Sequence, residues 1–75
     1  MNRQARLEGA KEWTDYGNSS FFQAIRNEAI RTSEKHGIGK WVVEVRCESE
    51  PEVIDTFEVQ TSIHAEIFNP RKGDV

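Results

Sequence analysis

Two neighbouring segments alternate apolar and polar residues, and this alternation constrains the fold more than any other feature of the chain. Residues 41–49 place one apolar set on a common face, namely Trp41, Val43, Val45 and Cys47. Residues 54–68 place a second set on a common face, namely Phe57, Val59, Thr61, Ile63, Ala65 and Ile67. Because side chains alternate between the faces of a strand, the pattern predicts two half-buried β-strands. Pro51 lies between them and is expected to end the first strand.

The two strands are expected to form an antiparallel hairpin that folds about residue 52. This register pairs Cys47 with Phe57, Val45 with Val59, Val43 with Thr61 and Trp41 with Ile63, and on the other face Arg46 with Glu58 and Glu44 with Gln60. It places apolar residues opposite one another and one acid opposite a base, as cross-strand pairing favours. A slip by one residue would reverse both faces, so the register is a definite prediction.

A helix is predicted over residues 20–36. Ser20 and Gln23 have the spacing of a capping box, and Gly37 follows as a residue that ends the helix. The expected buried stripe comprises Phe21, Ile25, Ala29, Thr32 and His36, with Phe22 and Ser33 at its border. Ile30 points away from this stripe, and it is expected to be either a lone exposed apolar residue or a subunit contact.

The ends of the chain carry weaker patterns. Residues 1–13 fit a helix about as well as a strand, and residues 14–19 are rich in turn-forming residues and predict a loop. Residues 70–75 are polar and predict a disordered tail. The whole chain, residues 1–75, is expected to form a single domain.

The size of the chain limits how it can be stabilised. With 75 residues it can bury only a small core, and chains of this size often need a disulfide, a metal or partner copies. Cys47 is the only cysteine, so an internal disulfide is excluded, and Cys47, His36 and His64 lack the spacing of metal ligands. Self-association into a homo-oligomer is therefore expected.

Charge and hydropathy exclude several partners. The net charge of −3 argues against non-specific nucleic-acid binding, which depends on an excess of Lys and Arg. No apolar run approaches the roughly 20 residues of a membrane span, and the first residues do not resemble a signal peptide. We therefore expect a cytoplasmic protein that binds neither nucleic acid nor membrane.

No catalytic motif is present in the sequence, so the chain is not expected to be an enzyme. Cys47 is expected to be a buried, inert thiol, and His36 to be a favourable partner of the helix dipole. His64 is expected to be solvated or to lie at a subunit contact. Trp41 has two readings, as a core residue or as a platform on which a flat ligand stacks. Trp13 and Tyr16, near the predicted loop, are expected either to pack over the sheet or to lie at the rim of a subunit contact.

A first strand, a helix and two long antiparallel strands, in that order, resemble the pattern of the dodecin family. The local similarity is strongest in Ser20-Phe21-Phe22-Gln23-Ala24-Ile25 and in Phe57-Glu58-Val59-Gln60-Thr61-Ser62-Ile63. Trp41 stands near the start of the middle strand, where many flavin-binding dodecins carry a tryptophan. The resemblance covers about residues 20–68. Residues 5–13 are more polar than the first strand of the family, and the loop before Ser20 is longer.

The resemblance implies an α+β fold of β-α-β-β order, with one helix packed on a small antiparallel sheet. It further implies a dodecameric homo-oligomer that binds and stores flavin, either FMN or riboflavin, without catalysis. The residues implied to bind the flavin are Trp41, Glu58 and Gln60, with Glu58 at the position where the family often has glutamine. The alternative is a ligand-free structural or interaction subunit of the same fold.

Overall fold

A computed structural model describes residues 2–61 together with the backbone of residues 65–70. Its elements are β1 Arg3–Leu7, β2 Thr14–Asp15, α1 Phe21–His36, β3 Lys40–Cys47, β4 Glu50–Thr61 and β5 Ala65–Pro70. The strands form one antiparallel sheet in the order β2-β1-β3-β4-β5. The predicted α+β fold, with a helix packed on a small antiparallel sheet, is confirmed.

The predicted β-α-β-β order is wrong, because two strands precede the helix and three follow it. Within residues 1–13, β1 is a strand and not a helix. The predicted loop at 14–19 begins with β2, which pairs with β1 through Gln4–Asp15 and Ala5–Thr14. The predicted single strand over 54–68 is two antiparallel strands, so the chain reverses direction between Thr61 and Ala65.

The helix follows the sequence prediction at both ends. The hydroxyl oxygen of Ser20 accepts a hydrogen bond from the backbone N–H of Gln23 at 3.2 Å, as an N-cap does. At the other end Gly37 has a φ of 101°, and its N–H donates to the carbonyl of Ser33 at 2.8 Å. Glycine adopts this backbone conformation without the steric penalty of a side chain, so the helix ends there.

The core lies between α1 and the inner face of strands β1, β3 and β4. The buried apolar residues of the described chain are Ala5, Ala24, Ile25, Ala29, Val43, Val45 and Val59. The helix stripe therefore differs in part from the predicted one: Ala24 and Glu28 are buried, whereas His36 is exposed. Ile30 is half-buried and packs against the core, so it is not the lone exposed apolar residue that was one of its two predicted roles; the subunit contact stays a prediction.

The predicted hairpin register is wrong, although the predicted face is right. Trp41 pairs with Val59 and Val43 with Phe57, so the β3 residues before the bulge meet β4 residues four positions earlier than expected. Arg46 and Glu44 consequently do not meet Glu58 and Gln60. An even shift keeps every side chain on its face, which is why Val43, Val45 and Val59 are all buried as predicted.

Pro51 is the reason for the error in register. It lies inside β4 and does not end a strand, and the hairpin turns earlier, at Glu48 and Ser49. Between the pairs Val45–Asp55 and Cys47–Glu50, β3 has one residue, Arg46, whereas β4 has the four residues 51–54. Such a bulge leaves residues outside the hydrogen-bonded ladder, so a proline is tolerated there.

We refer to residues 48–55, which comprise this turn and bulge, as the hairpin arm. All of its residues are exposed, including Val53 at 53% and Ile54 at 40%. It carries four acidic residues and no lysine or arginine: Glu48, Glu50, Glu52 and Asp55.

Several sequence predictions fall outside the described residues. They concern Ile63 and His64 and the polar tail beyond Pro70. The pairing of Trp41 is nonetheless settled by β4, since its partner is Val59 and not Ile63.

Ile25 tests whether the helix-to-sheet contact supplies the stability of the fold. Its side chain is fully buried, whereas Ile38 is 66% exposed after the helix. Ile25→Val should lower the free energy of unfolding by about 0.5–1.5 kcal/mol, because it removes one buried methyl group. The matched Ile38→Val should stay within about 0.5 kcal/mol of the wild type. Urea unfolding measures both, and equal effects would contradict this assignment of the core.

Candidate functional site

The three residues implied to bind flavin lie on opposite faces of the sheet. Trp41 pairs with Val59, so both side chains lie on the inner face, under the helix. Glu58 and Gln60 flank Val59 in β4, and strand alternation places them on the outer face. The backbone of the sheet therefore separates Trp41 from the two polar residues in one chain.

Trp41 lies where the inner face meets the end of the helix. Its ring centroid is 5.9 Å from that of His36, with the two planes tilted by 46°. The side chain is half-buried, and its Nε1 is buried without a hydrogen-bond partner in the described part of the chain. A buried, unpaired N–H carries a desolvation cost of about 1–3 kcal/mol. The indole is thus part of the packing around the end of the helix and is also partly accessible.

These positions do not form a flavin site within one subunit. A flavin stacked on Trp41 would lie on the inner face, so its polar edge could not reach Glu58 or Gln60 of the same chain. The Gln60 side chain also donates to the carbonyl of Thr61 at 3.0 Å. A site that uses all three residue types must therefore take Trp41 from one copy and the polar residues from another.

The outer face carries a cluster that the sequence left undecided, centred on Trp13. The guanidinium carbons of Arg6 and Arg46 lie 4.3 Å and 4.1 Å from the centroid of its indole ring. Arg6 also forms an ion pair with Glu44 at 2.6 Å, and Arg46 donates to the side chain of Gln4 at 2.8 Å. Trp13 therefore packs over the sheet, held by two cation–π contacts.

A cleft of about 260 Å³ lies between the second half of α1 and the segment that joins β1 to β2. Its lining includes both charged and apolar side chains: Arg6, Leu7, Ala10, Glu12, Trp13, Thr14, Glu28, Arg31, Thr32, Lys35 and His36. We refer to it as the helix cleft. It brings several ionisable side chains together.

Glu28 and Tyr16 form a buried polar pair beside the helix cleft. The Tyr16 hydroxyl donates to Glu28 Oε1 at 2.5 Å, and Glu28 is only 7% exposed. Burial raises the pKa of Tyr16 well above its ordinary value, and the hydrogen bond and the negative charge of Glu28 raise it further. Arg31 opposes the increase and does not cancel it. Tyr16 is therefore a neutral hydrogen-bond donor at physiological pH.

Arg31 and Lys35 present positive charge at the mouth of the helix cleft. Arg31 Nη1 donates to the Thr14 hydroxyl at 2.6 Å and lies 3.8 Å from Glu28 Oε1, with 54% of its side chain exposed. Lys35 is one turn further along the helix and is exposed. Because the carboxylate of Glu28 is buried, the charges that face solvent here are mainly positive.

Sequence reasoning did not single out Glu28 or the helix cleft. A signal was present, since Glu28 stands four residues from both Ala24 and Thr32 and so falls on the buried helix stripe. A carboxylate at such a position needs a buried donor. The nearby loop contains the only tyrosine of the chain, Tyr16, which supplies that donor.

Cys47 is half-buried, and its Sγ accepts a hydrogen bond from Arg3 Nη1 at 2.8 Å. Among the side chains of residues 2–61, no three of His, Cys, Asp or Glu cluster in a way that could hold a metal ion. The described residues also include no helix with the length and apolar character needed to cross a bilayer.

No family model, curated protein or solved structure matches this chain. The geometry of its own residues is therefore the basis for the functional argument.

Tyr16 gives a direct test of the buried polar pair. As the only tyrosine, it alone produces the phenolate absorbance of the protein. In the unfolded chain it should ionise near pH 10, whereas in the folded chain its pKa is raised. The pair's contribution to stability should therefore be complete below about pH 10 and should be lost as the pH rises further.

The matched variants are Glu28→Gln and Tyr16→Phe. Glu28→Gln should lower the pKa of Tyr16 only in part, because burial is the largest cause of the increase and remains. Tyr16→Phe should remove this contribution to the alkaline loss of stability. Ionisation of wild-type Tyr16 near the ordinary tyrosine pKa would show that the pair is not formed.

Proposed function

We propose that this chain is the subunit of a non-enzymatic, cytoplasmic homo-oligomer that binds and stores a small aromatic ligand, flavin being the favoured class. The observation that carries the proposal is the exposure of large apolar side chains around a small core. Those exposed by 40% or more in the described chain are Phe22, Ile38, Val53 and Ile54.

The energetic argument rests on the size of the core. Only Ile25 and three valines among the buried apolar residues are larger than alanine. Burial of apolar surface contributes roughly 25 cal/mol per Å², so four further large side chains covered by partner copies would add substantially to this small core. The single cysteine suits a reducing compartment, where a disulfide could not take the place of such contacts.

The ligand part of the proposal rests on Trp41 and on the resemblance to dodecins. The indole is partly accessible at the end of the sheet and offers a large π-face for a flat ring. Glu58 and Gln60 of another copy would supply the polar contacts, at a junction between subunits. FMN or riboflavin is the ligand, and twelve is the copy number, that the resemblance implies.

The second candidate is a ligand-free structural or interaction subunit with the same fold. It is favoured by the separation of Trp41 from Glu58 and Gln60 on opposite faces of the sheet. Both candidates require self-association, so the ligand distinguishes them.

Titration with riboflavin, followed by flavin fluorescence, tests the proposal on protein whose mass is measured by light scattering. The mass should be several times 8.6 kDa. Stacking on Trp41 should quench the fluorescence, and Trp41→Phe should weaken the apparent affinity about tenfold, since the larger ring is lost. Glu58→Gln should strengthen binding, because an amide can both donate to and accept from the flavin edge.

Trp13→Phe is the matched control. It makes the same substitution at a ring that Arg6 and Arg46 already contact, and at a protein concentration where light scattering gives the wild-type mass it should leave quenching unchanged. An oligomer that leaves riboflavin fluorescence unaltered at high micromolar protein would favour the ligand-free subunit. A monomeric wild type would contradict both candidates.

A further inference from the structure

The hairpin arm adjoins the start of β1 and the helix cleft adjoins its end, with Arg46 between them: Arg46 donates to the carbonyl of Pro51 at 3.5 Å and lies over Trp13. The arm follows Cys47, which pairs with Arg3 at the start of β1, and the Arg3 guanidinium lies over Phe21 at the start of the helix. The helix cleft lies beyond Leu7 at the end of β1, beside the last turns of the helix. Within one chain Arg31 contacts Thr14 and Glu28 rather than the acids of the arm.

The two surfaces are complementary in charge. The arm presents four acidic residues and no basic residue. The cleft presents Arg31 and Lys35 to solvent, whereas one of its two acids, Glu28, is buried and bonded to Tyr16. Opposite patches of this kind favour encounter and fix orientation.

The two surfaces also match in apolar character and in size. Val53 and Ile54 are exposed on the arm, and the lining of the cleft includes the apolar side chains of Leu7, Ala10 and Trp13. A volume of about 260 Å³ lies below the roughly 300–1,000 Å³ typical of sites for drug-sized ligands. It suits one or two side chains better than a flavin.

We infer that the hairpin arm of one copy docks into the helix cleft of a second copy. The inference rests on the self-association in the proposed function and names the surfaces that produce it. Val53 and Ile54 contact the apolar lining of the cleft, and the acids of the arm pair with Arg31 and Lys35. The bulge at 51–54 gives the arm its reach, because it carries these residues out of the ladder.

Such a contact joins two different surfaces, so an open assembly has one unoccupied arm at one end and one unoccupied cleft at the other. Head-to-tail contacts of this type generate rings when the rotation between copies closes, and filaments when it does not. Exposed charge pairs are screened by salt, so association should weaken as ionic strength rises.

Charge reversal with complementation tests the inference. Glu52→Lys places a base on the arm, and Lys35→Glu places an acid at the rim of the cleft. Each variant alone should shift its mass toward 8.6 kDa at a concentration where the wild type is assembled. Mixing the two in equal amounts should restore the wild-type mass. In the mixture residue 52 of each arm can meet a residue 35 of opposite charge.

Two further variants complete the design. Arg26→Glu makes the same reversal as Lys35→Glu at an exposed site nine residues earlier, about two and a half turns away and thus on the opposite side of the helix. It should leave the mass unchanged. Val53→Asp should reduce the mass, and no charge-reversed partner should restore it.

The outcomes separate this inference from the proposed function. If the wild type assembles and both single reversals keep its mass, the arm-to-cleft contact is wrong and self-association stands. The contact is also wrong if the singles dissociate and their mixture does not recover. A monomeric wild type overturns the contact and the proposed function together.

Discussion

The fold depends on the contact between one face of a short helix and three strands. Ala24, Ile25 and Ala29 meet a sheet surface that is itself made of small residues, with Ala5 beside the three buried valines. Small side chains let the helix lie close to the sheet, so a core of few atoms is still excluded from water. This contact positions the buried carboxylate of Glu28, the helix residues that line the helix cleft, and the indole of Trp41 at the end of the helix.

Because a single helix covers only one face of the sheet, the two faces have different chemistry. On the outer face the Arg6–Glu44 ion pair and the cation–π contacts to Trp13 tolerate water and need no second layer. The inner face is apolar and nearly closed. The stacking surface of Trp41 and the polar side chains of Glu58 and Gln60 consequently lie on different faces of one chain.

The sequence was most informative where one residue type has a single structural use. Ser20 and Gly37 predicted the two ends of the helix, and the alternation of apolar and polar residues predicted which side chains of β3 and β4 are buried. The register failed because Pro51 was expected to end a strand, whereas a bulge removes the need for its missing N–H. β2 has only two residues and leaves no period to detect. The helix cleft depends on Glu28 meeting a tyrosine twelve residues away, which periodicity within one element cannot reveal.

The place of β1 within the sheet has a consequence for how the chain folds. Its five residues pair with β3, about forty positions later in the chain, whereas β3 and β4 are neighbours in sequence. Closing so long a loop has an entropic cost that is offset only when β1 pairs with β3. Such non-local pairing slows folding. The hairpin and the helix can form from local contacts alone, but the core lacks Ala5 until β1 arrives. During synthesis β1 is made before its partner β3, so β1 remains unpaired in the sheet until β3 has been made.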